Sequence, residues 1–337
     1  MDSEQAVQFL ERIFASYDTY ICFDSKLEPL PCLLLATFDE FVYEQMPVKQ
    51  RQVLVKNCIQ TLAAAENDSI FLAANKLFKK CTIDCQPLVE LLLKMMQPGV
   101  AETSMPKRRS KANTATAISC TAASKIDVSS SCWKQGIAML ELLENKKQLN
   151  QPEKLIPGLF SLLQLCLDFE EQAAVEYTKQ LTLSALLHTC RLAQAAGVVL
   201  QSSLPKSTFR IDQIVECMRV TKNPQTHHNA LLLLSHCAEL FPQQVLHNIV
   251  DIFTFMGSSV VRHDDAFSFH IINNITESII PILVKSSDGR KSLNANENNV
   301  NPLVVPVLKV FSDIMLDVPE HRRLPLYSKL LQTLSVS

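Results

Sequence analysis

Glycine occupies 6 of 337 positions, far below the ~7% of an average chain, and this scarcity constrains the fold more than any other feature. Glycine supplies the positive φ angles that tight hairpins, phosphate-cradling loops and dinucleotide turns rely on. Sheets and hairpins are therefore not expected. The residues that are plentiful instead, Leu, Ala, Gln, Lys and Glu, form helices readily.

The apolar pattern agrees. Val245, Ile249, Ile252, Phe253 and Met256 fall at i, i+4, i+7, i+8 and i+11, a single stripe along one predicted helix. Leu231, Leu234, Ala238 and Phe241 repeat the device just upstream. Proline marks helix starts, because at the first helical position its missing N–H costs nothing. Asn223-Pro224 and Asn301-Pro302 add a capping Asn. Pro224 and Pro242 are 18 residues apart, Pro302 and Pro319 are 17, and Pro47 and Pro87 are 40. A half-repeat near 20 and a repeat near 40 predict an all-α, HEAT/armadillo-type superhelical solenoid, in which neighbouring helix pairs bury each other's stripes. Pro157, Pro281, Pro306 and Pro325 are expected to kink helices.

Two stretches interrupt the pattern. Residues 98–131, PGVAETSMPKRRSKANTATAISCTAASKIDVSSS, read as a disordered basic Ser/Thr-rich linker. Residues 286–301 read as a long polar loop. The expected organisation is helical repeats over 1–97, the linker over 98–131, and HEAT-type repeats over 132–337. An amphipathic last helix runs into Ser335-Val336-Ser337 with no polar capping repeat, as expected of a segment of a longer array or a shortened relative.

Charge is balanced, with 32 basic and 34 acidic residues, so no global field draws the chain to nucleic acid or an anionic membrane. The one basic excess, five residues against two, lies in 98–131. Pro106-Lys107-Arg108-Arg109-Ser110-Lys111 has the form of a nuclear import signal, carried by Lys107, Arg108, Arg109 and Lys111. Ser110 behind two arginines also reads as a basophilic kinase site. The acidic start and the lack of an ~18-residue apolar run give no secretory signal and no membrane span, so an intracellular, soluble protein is expected.

No GxxxxGK[ST], GxGxxG, GxSxG or HExxH occurs, so the expectation is a non-enzyme with no cofactor and no small-molecule substrate. Cys81 and Cys85 are the one close pair among eleven cysteines. They lack two further ligands for zinc and read as buried apolar residues in a reducing compartment. His227, His228 and His236 read as capping, exposed or hydrogen-bonded core histidines. In Arg262-His263-Asp264-Asp265, adjacent side chains diverge by about 100°, which suits helix capping or partner contact better than catalysis. Glu320-His321-Arg322-Arg323 opens the last helix with its acidic residue where the dipole prefers it.

The C-terminal third carries HNALLLLSHCAELFPQQVLHNIVDIFTFMGSSVVRHDDAFSFHIINNITESIIPILV and VPEHRRLPLYSKLLQTL. These stretches resemble the family of HEAT repeat-containing protein 1, also known as U-three small nucleolar RNA-associated protein 10. The likeness is strongest over Asn229 to Leu334; residues 1–223 resemble the family only in being helical repeats with a basic, polar break. The resemblance implies a non-catalytic scaffold of the nucleolar small-subunit processome, acting in pre-ribosomal RNA processing and RNA polymerase I transcription. It implies processome proteins as partners, and pre-ribosomal and small nucleolar RNA met through the assembly. Residues to test as contacts are Arg262, Asp264, Asp265, Glu320, Arg322 and Arg323. A HEAT-repeat transport adaptor, or a regulatory subunit of a kinase or phosphatase, is the alternative that the fold alone allows.

Overall fold

The computed structural model describes residues 3–23, 26–65, 67–97, 126–255, 266, 269–270, 273–278, 304–313, 315–316 and 318–335. They are overwhelmingly helical and form two compact units, Met1–Val198 and Val199–Ser337.

The first unit begins with α1 (Ser3–Ala15), a hairpin of β1 (Tyr20–Phe23) and β2 (Lys26–Pro29), and the short helices α2 (Leu30–Thr37) and α3 (Glu40–Gln45). Next come α4 (Val48–Ala65), α5 (Asp68–Lys80), a two-residue strand β3 (Ile83–Asp84) and α6 (Cys85–Met95). After residues 98–125 follow α7 (Ser131–Glu144), β4 (Leu149–Asn150), α8 (Ile156–Leu167) and α9 (Glu176–Ala195). Helix starts are set by local chemistry. Asp39 accepts from the Val42 N–H at 2.8 Å, Asn67 from Ser69 at 2.9 Å and Ser130 from Trp133 at 3.2 Å, each satisfying a donor that the helix leaves orphaned.

Helix α4 lies at the centre, packed against α1, α6 and α7, with Leu54, Val55, Cys58 and Ile59 buried. Thr61 donates to the Phe14 carbonyl at 3.2 Å and fixes α1 to it. Helix α7 also packs on α6 and α9, and Tyr177 of α9 donates to Glu141 of α7 at 2.7 Å. Two glycines permit this closeness. A Cβ on Gly136 of α7 would fall 2.1 Å from the Met95 sulfur, and one on Gly158 of α8 would fall 2.7 Å from a Leu92 methyl.

The break at 98–131 does not divide this core. Helices α4 and α6 before it pack directly on α7 after it, and Ile83 and Asp84 pair in parallel with Leu149 and Asn150. Asn150 donates to Asp84 at 2.8 Å, and Thr82 donates to Gln148 at 2.9 Å. The division between units falls at Val198–Val199 instead. A composition change marks where apolar periodicity stops, not which flanking stripes share a core.

The second unit contains α10 (Leu200–Ser203), α11 (Ile211–Val220), α12 (Pro224–Leu240), α13 (Pro242–His247), α14 (Ile249–Phe255), α15 (Val304–Asp313) and α16 (Glu320–Ser335). Asn223 caps α12 by accepting from Gln225 at 2.8 Å, with Pro224 at the first helical position as expected. Leu231, Leu234, Ala238 and Phe241 are buried, and so are Val245, Ile249 and Ile252. The second stripe runs over two short helices, not one, because the helix breaks at Asn248 between α13 and α14. Met256 and the Phe253 side chain lie outside the described residues. Phe209 and Phe241 stack with centroids 4.0 Å apart.

Two further expectations are corrected. The β1–β2 hairpin forms without glycine, with Cys22 opposite Leu27 and polar Asp24-Ser25 between the strands in sequence. Pro157 and Pro306 do not kink helices: each falls in a first turn, of α8 and α15, where no intrahelical N–H bond is lost. Pro325 alone among the described positions sits inside a helix, α16, and Pro281 lies outside them.

Candidate interaction surfaces

Lys107, Arg108, Arg109, Ser110 and Lys111 lie outside the described residues, as do Arg262, His263, Asp264, Asp265 and the polar loop 286–301. Glu320, Arg322 and Arg323 are described, on the first two turns of α16. They are not equivalent. Glu320 is exposed in the first turn, where a carboxylate complements the positive end of the helix dipole. Arg322 places its guanidinium 4.8 Å from the Phe269 ring centroid, a cation–π distance. Arg323 turns back to donate to the carbonyls of Val318 at 2.8 Å and Leu316 at 3.1 Å. Arg323 is thus a structural clamp on the segment entering α16. Arg322, stacked and partly exposed, combines a fixed plane with donors suited to carboxylate or phosphate.

The histidines serve the fold. His227 lies 3.1 Å from both the Met218 and Thr221 carbonyls. Since carbonyls only accept, its Nε2 carries the proton and caps the end of α11. Its ring also meets Phe255 edge-on at 5.2 Å. The Nδ1 of His236 approaches Glu239 at 4.0 Å on the same helix, too long for a strong hydrogen bond.

Cys81 and Cys85 are buried, as are Cys58 and Cys190, and every described cysteine is a free thiol. Burial raises Cys81 to about 11 and Cys85 to about 12, so both remain protonated at neutral pH and behave as small apolar groups. Beside them is the group that sequence reasoning missed. Lys146, 3% exposed, donates to the backbone carbonyls of Phe78 and Cys81, and its own carbonyl contacts His188. It supplies a cation to the C-terminal end of α5, whose carbonyls have no helical partner. Burial lowers it to about 8. In sequence it stands in the polar run Glu144-Asn145-Lys146-Lys147-Gln148, which carries no local sign of burial.

No group of three or more His, Cys, Asp or Glu that could hold a metal occurs among the described residues, and no described helix is long and apolar enough to cross a membrane. What the arrangement offers is packed helix surface. A family model described as HEATR1-like, HEAT repeats, matches residues 299–337, the segment containing Glu320, Arg322 and Arg323. The chain is also 52% identical over 329 residues, 98% of its length, to the HEAT repeat-containing protein 1 homolog of Drosophila melanogaster. The chain belongs to the HEAT repeat-containing protein 1 family. The human HEAT repeat-containing protein 1 is 38% identical over 292 residues, 85% of the chain. A Schizosaccharomyces pombe protein named U3 small nucleolar RNA-associated protein 10 is 36% identical over 198 residues, 58% of the chain.

Membership in the HEAT repeat-containing protein 1 family accounts for the all-α helical-repeat solenoid class. It also extends the likeness beyond the C-terminal third, because the Drosophila match runs through the first unit as well. The chain spans 15% of the length of the Drosophila relative and 13% of the human one.

Proposed function

We propose that this chain is a repeat segment of a non-catalytic scaffold of the nucleolar small-subunit processome. On this reading it acts in ribosome biogenesis, in the processing of pre-ribosomal RNA and in RNA polymerase I transcription. The observation that carries the reading is the 52% identity over 98% of the chain to a HEAT repeat-containing protein 1 homolog, joined to likeness to proteins named for association with the U3 small nucleolar RNA. Its partners are processome proteins, with pre-ribosomal and small nucleolar RNA met through the assembly. It resides in the nucleus and nucleolus, and Lys107, Arg108, Arg109 and Lys111 form the import signal. Arg262, Asp264, Asp265, Glu320 and Arg322 are partner contacts; Arg323 acts through the fold.

A HEAT array carries function on its helix faces, because each repeat packs only on its neighbours and leaves outer surfaces for partners. The test is co-sedimentation of the tagged full-length protein. It is expected with large pre-ribosomal particles and in nucleoli; confinement to light fractions outside nucleoli overturns the reading. Replacing Lys107, Arg108, Arg109 and Lys111 with alanine is expected to reduce nuclear entry of the tagged chain.

A further inference from the structure

The first unit holds an open groove of 480 Å³ between α2 and α5. On α5 its lining falls at Ser69, Leu72, Ala73, Lys76, Leu77 and Lys80, the i, i+3, i+4, i+7, i+8, i+11 spacing of one helix stripe about 16 Å long. On α2 it falls at Cys32, Leu35 and Ala36, the same spacing over one turn. Two such stripes side by side form the seat into which a third helix packs.

The seat is open to solvent. Leu72 on its wall is 65% exposed, and Leu27 and Phe41, each close in sequence to a rim residue, are 69% and 71% exposed. Its two rims differ in charge. Lys76 and Lys80 stand one turn apart on α5, and the side chain of neither forms an ion pair or hydrogen bond with another described residue. Glu28 and Asp39 line the groove from β2 and the segment preceding α3. An acidic rim opposes phosphate, which disfavours nucleic acid or an anionic membrane as occupant. A leucine-floored seat with one basic and one acidic rim fits a helix whose apolar seam is bordered by acids on one side and bases on the other, the logic by which flanking charges choose helix partners.

We infer that the α2–α5 groove docks an amphipathic helix of a separate polypeptide, with a leucine-rich seam, one acidic flank and one basic flank. This rests on the scaffold reading above for its use, yet failure of peptide binding and failure of co-sedimentation are separate results.

The probes are three 16-residue stapled helical peptides with the same leucine seam and flanks that are acidic/basic, basic/basic or acidic/acidic. Fluorescence anisotropy with the 337-residue chain is expected to show the mixed peptide binding at least tenfold more tightly than the other two. Leu72→Asp, at an exposed position that leaves the core intact by circular dichroism, is expected to weaken it at least tenfold. The double variant Lys76→Glu/Lys80→Glu is expected to prefer the basic/basic peptide. Affinity indifferent to flank charge or to Leu72→Asp overturns the proposal. A chain that sediments as a dimer and becomes monomeric on Leu72→Asp also overturns it, by assigning the groove to a second copy.

Discussion

Gly136 shows how much a single missing side chain decides. Met95 is buried against it, and a methyl group at position 136 would meet the Met95 sulfur, Cγ and Cβ at 2.1, 2.8 and 3.1 Å. Alanine elsewhere in a helix gains ~1 kcal/mol over glycine, while overpacking a tight core costs ~1–3 kcal/mol. Gly136→Ala is therefore expected to destabilise the chain, by up to about 2 kcal/mol in urea titration. Met95→Ala in the same chain is expected to relieve part of that loss, since contacting sites are not additive. Purely additive effects would show that α6 and α7 are not in this contact.

Lys146 makes a second prediction at the same scale, and its sign follows from where protons are held. The buried ammonium titrates near 8 and the unfolded one near 10.5, so between these values the unfolded chain binds the extra proton and this residue's contribution to stability rises with pH. The buried thiols act oppositely. Cys81, Cys85 and Cys190 are raised from 9.0 to about 11, 12 and 12, so above pH 9 unfolded thiols ionise while folded ones do not, and stability falls as pH rises. Between pH 8 and 9 the two effects oppose each other, Lys146 adding up to about 1 kcal/mol and the three thiols together removing about as much, so the unfolding free energy of the first unit in urea is expected to stay nearly level over this window and to decline above it. In Lys146→Met the offsetting gain is absent, so the decline is expected to begin already between pH 8 and 9; an unchanged profile would mean that Lys146 does not titrate in this window.

At the scale of elements, what was readable from sequence was local. Stripes such as Leu231, Leu234 and Ala238 announce the buried face of α12, and Asn223-Pro224 announces its start, because capping and periodicity act within a few residues. The break at Asn248 leaves the stripe Val245, Ile249, Ile252 intact, so periodicity could not reveal it. Lys146 was unreadable for another reason. Its partners are the carbonyls of Phe78 and Cys81, and backbone acceptors have no residue signature. Of the candidate contacts, the motif identified the α16 cluster but could not separate Arg323, which clamps carbonyls, from Arg322, which stacks on Phe269. The pairing of α6 with α7 across residues 98–125 is the least local feature, and it is testable. A chain given a specific protease site between residues 108 and 109 and then cut is expected to elute as one species in gel filtration. Separate elution of the two pieces would mean that α4, α6 and α7 do not share a core.

For the molecule as a whole, the question is how far a local loss travels. In a helical-repeat protein stability is close to a sum of repeat terms and nearest-neighbour interface terms, so damage is felt by adjacent helices and fades beyond them. Leu231 is fully buried in α12, which packs on α11 and α13. Removing its branched end costs both the transfer of those atoms and the cavity left behind, about 2–5 kcal/mol. Hydrogen exchange of Leu231→Ala is accordingly expected to lose protection over α11, α12 and α13, in the second compact unit, while α4, α7 and α9 in the first keep theirs. Equal loss in all of these helices would mean that the chain unfolds as one cooperative body. The additive behaviour of a repeat array, on which the scaffold reading depends for its independent binding faces, would then not hold.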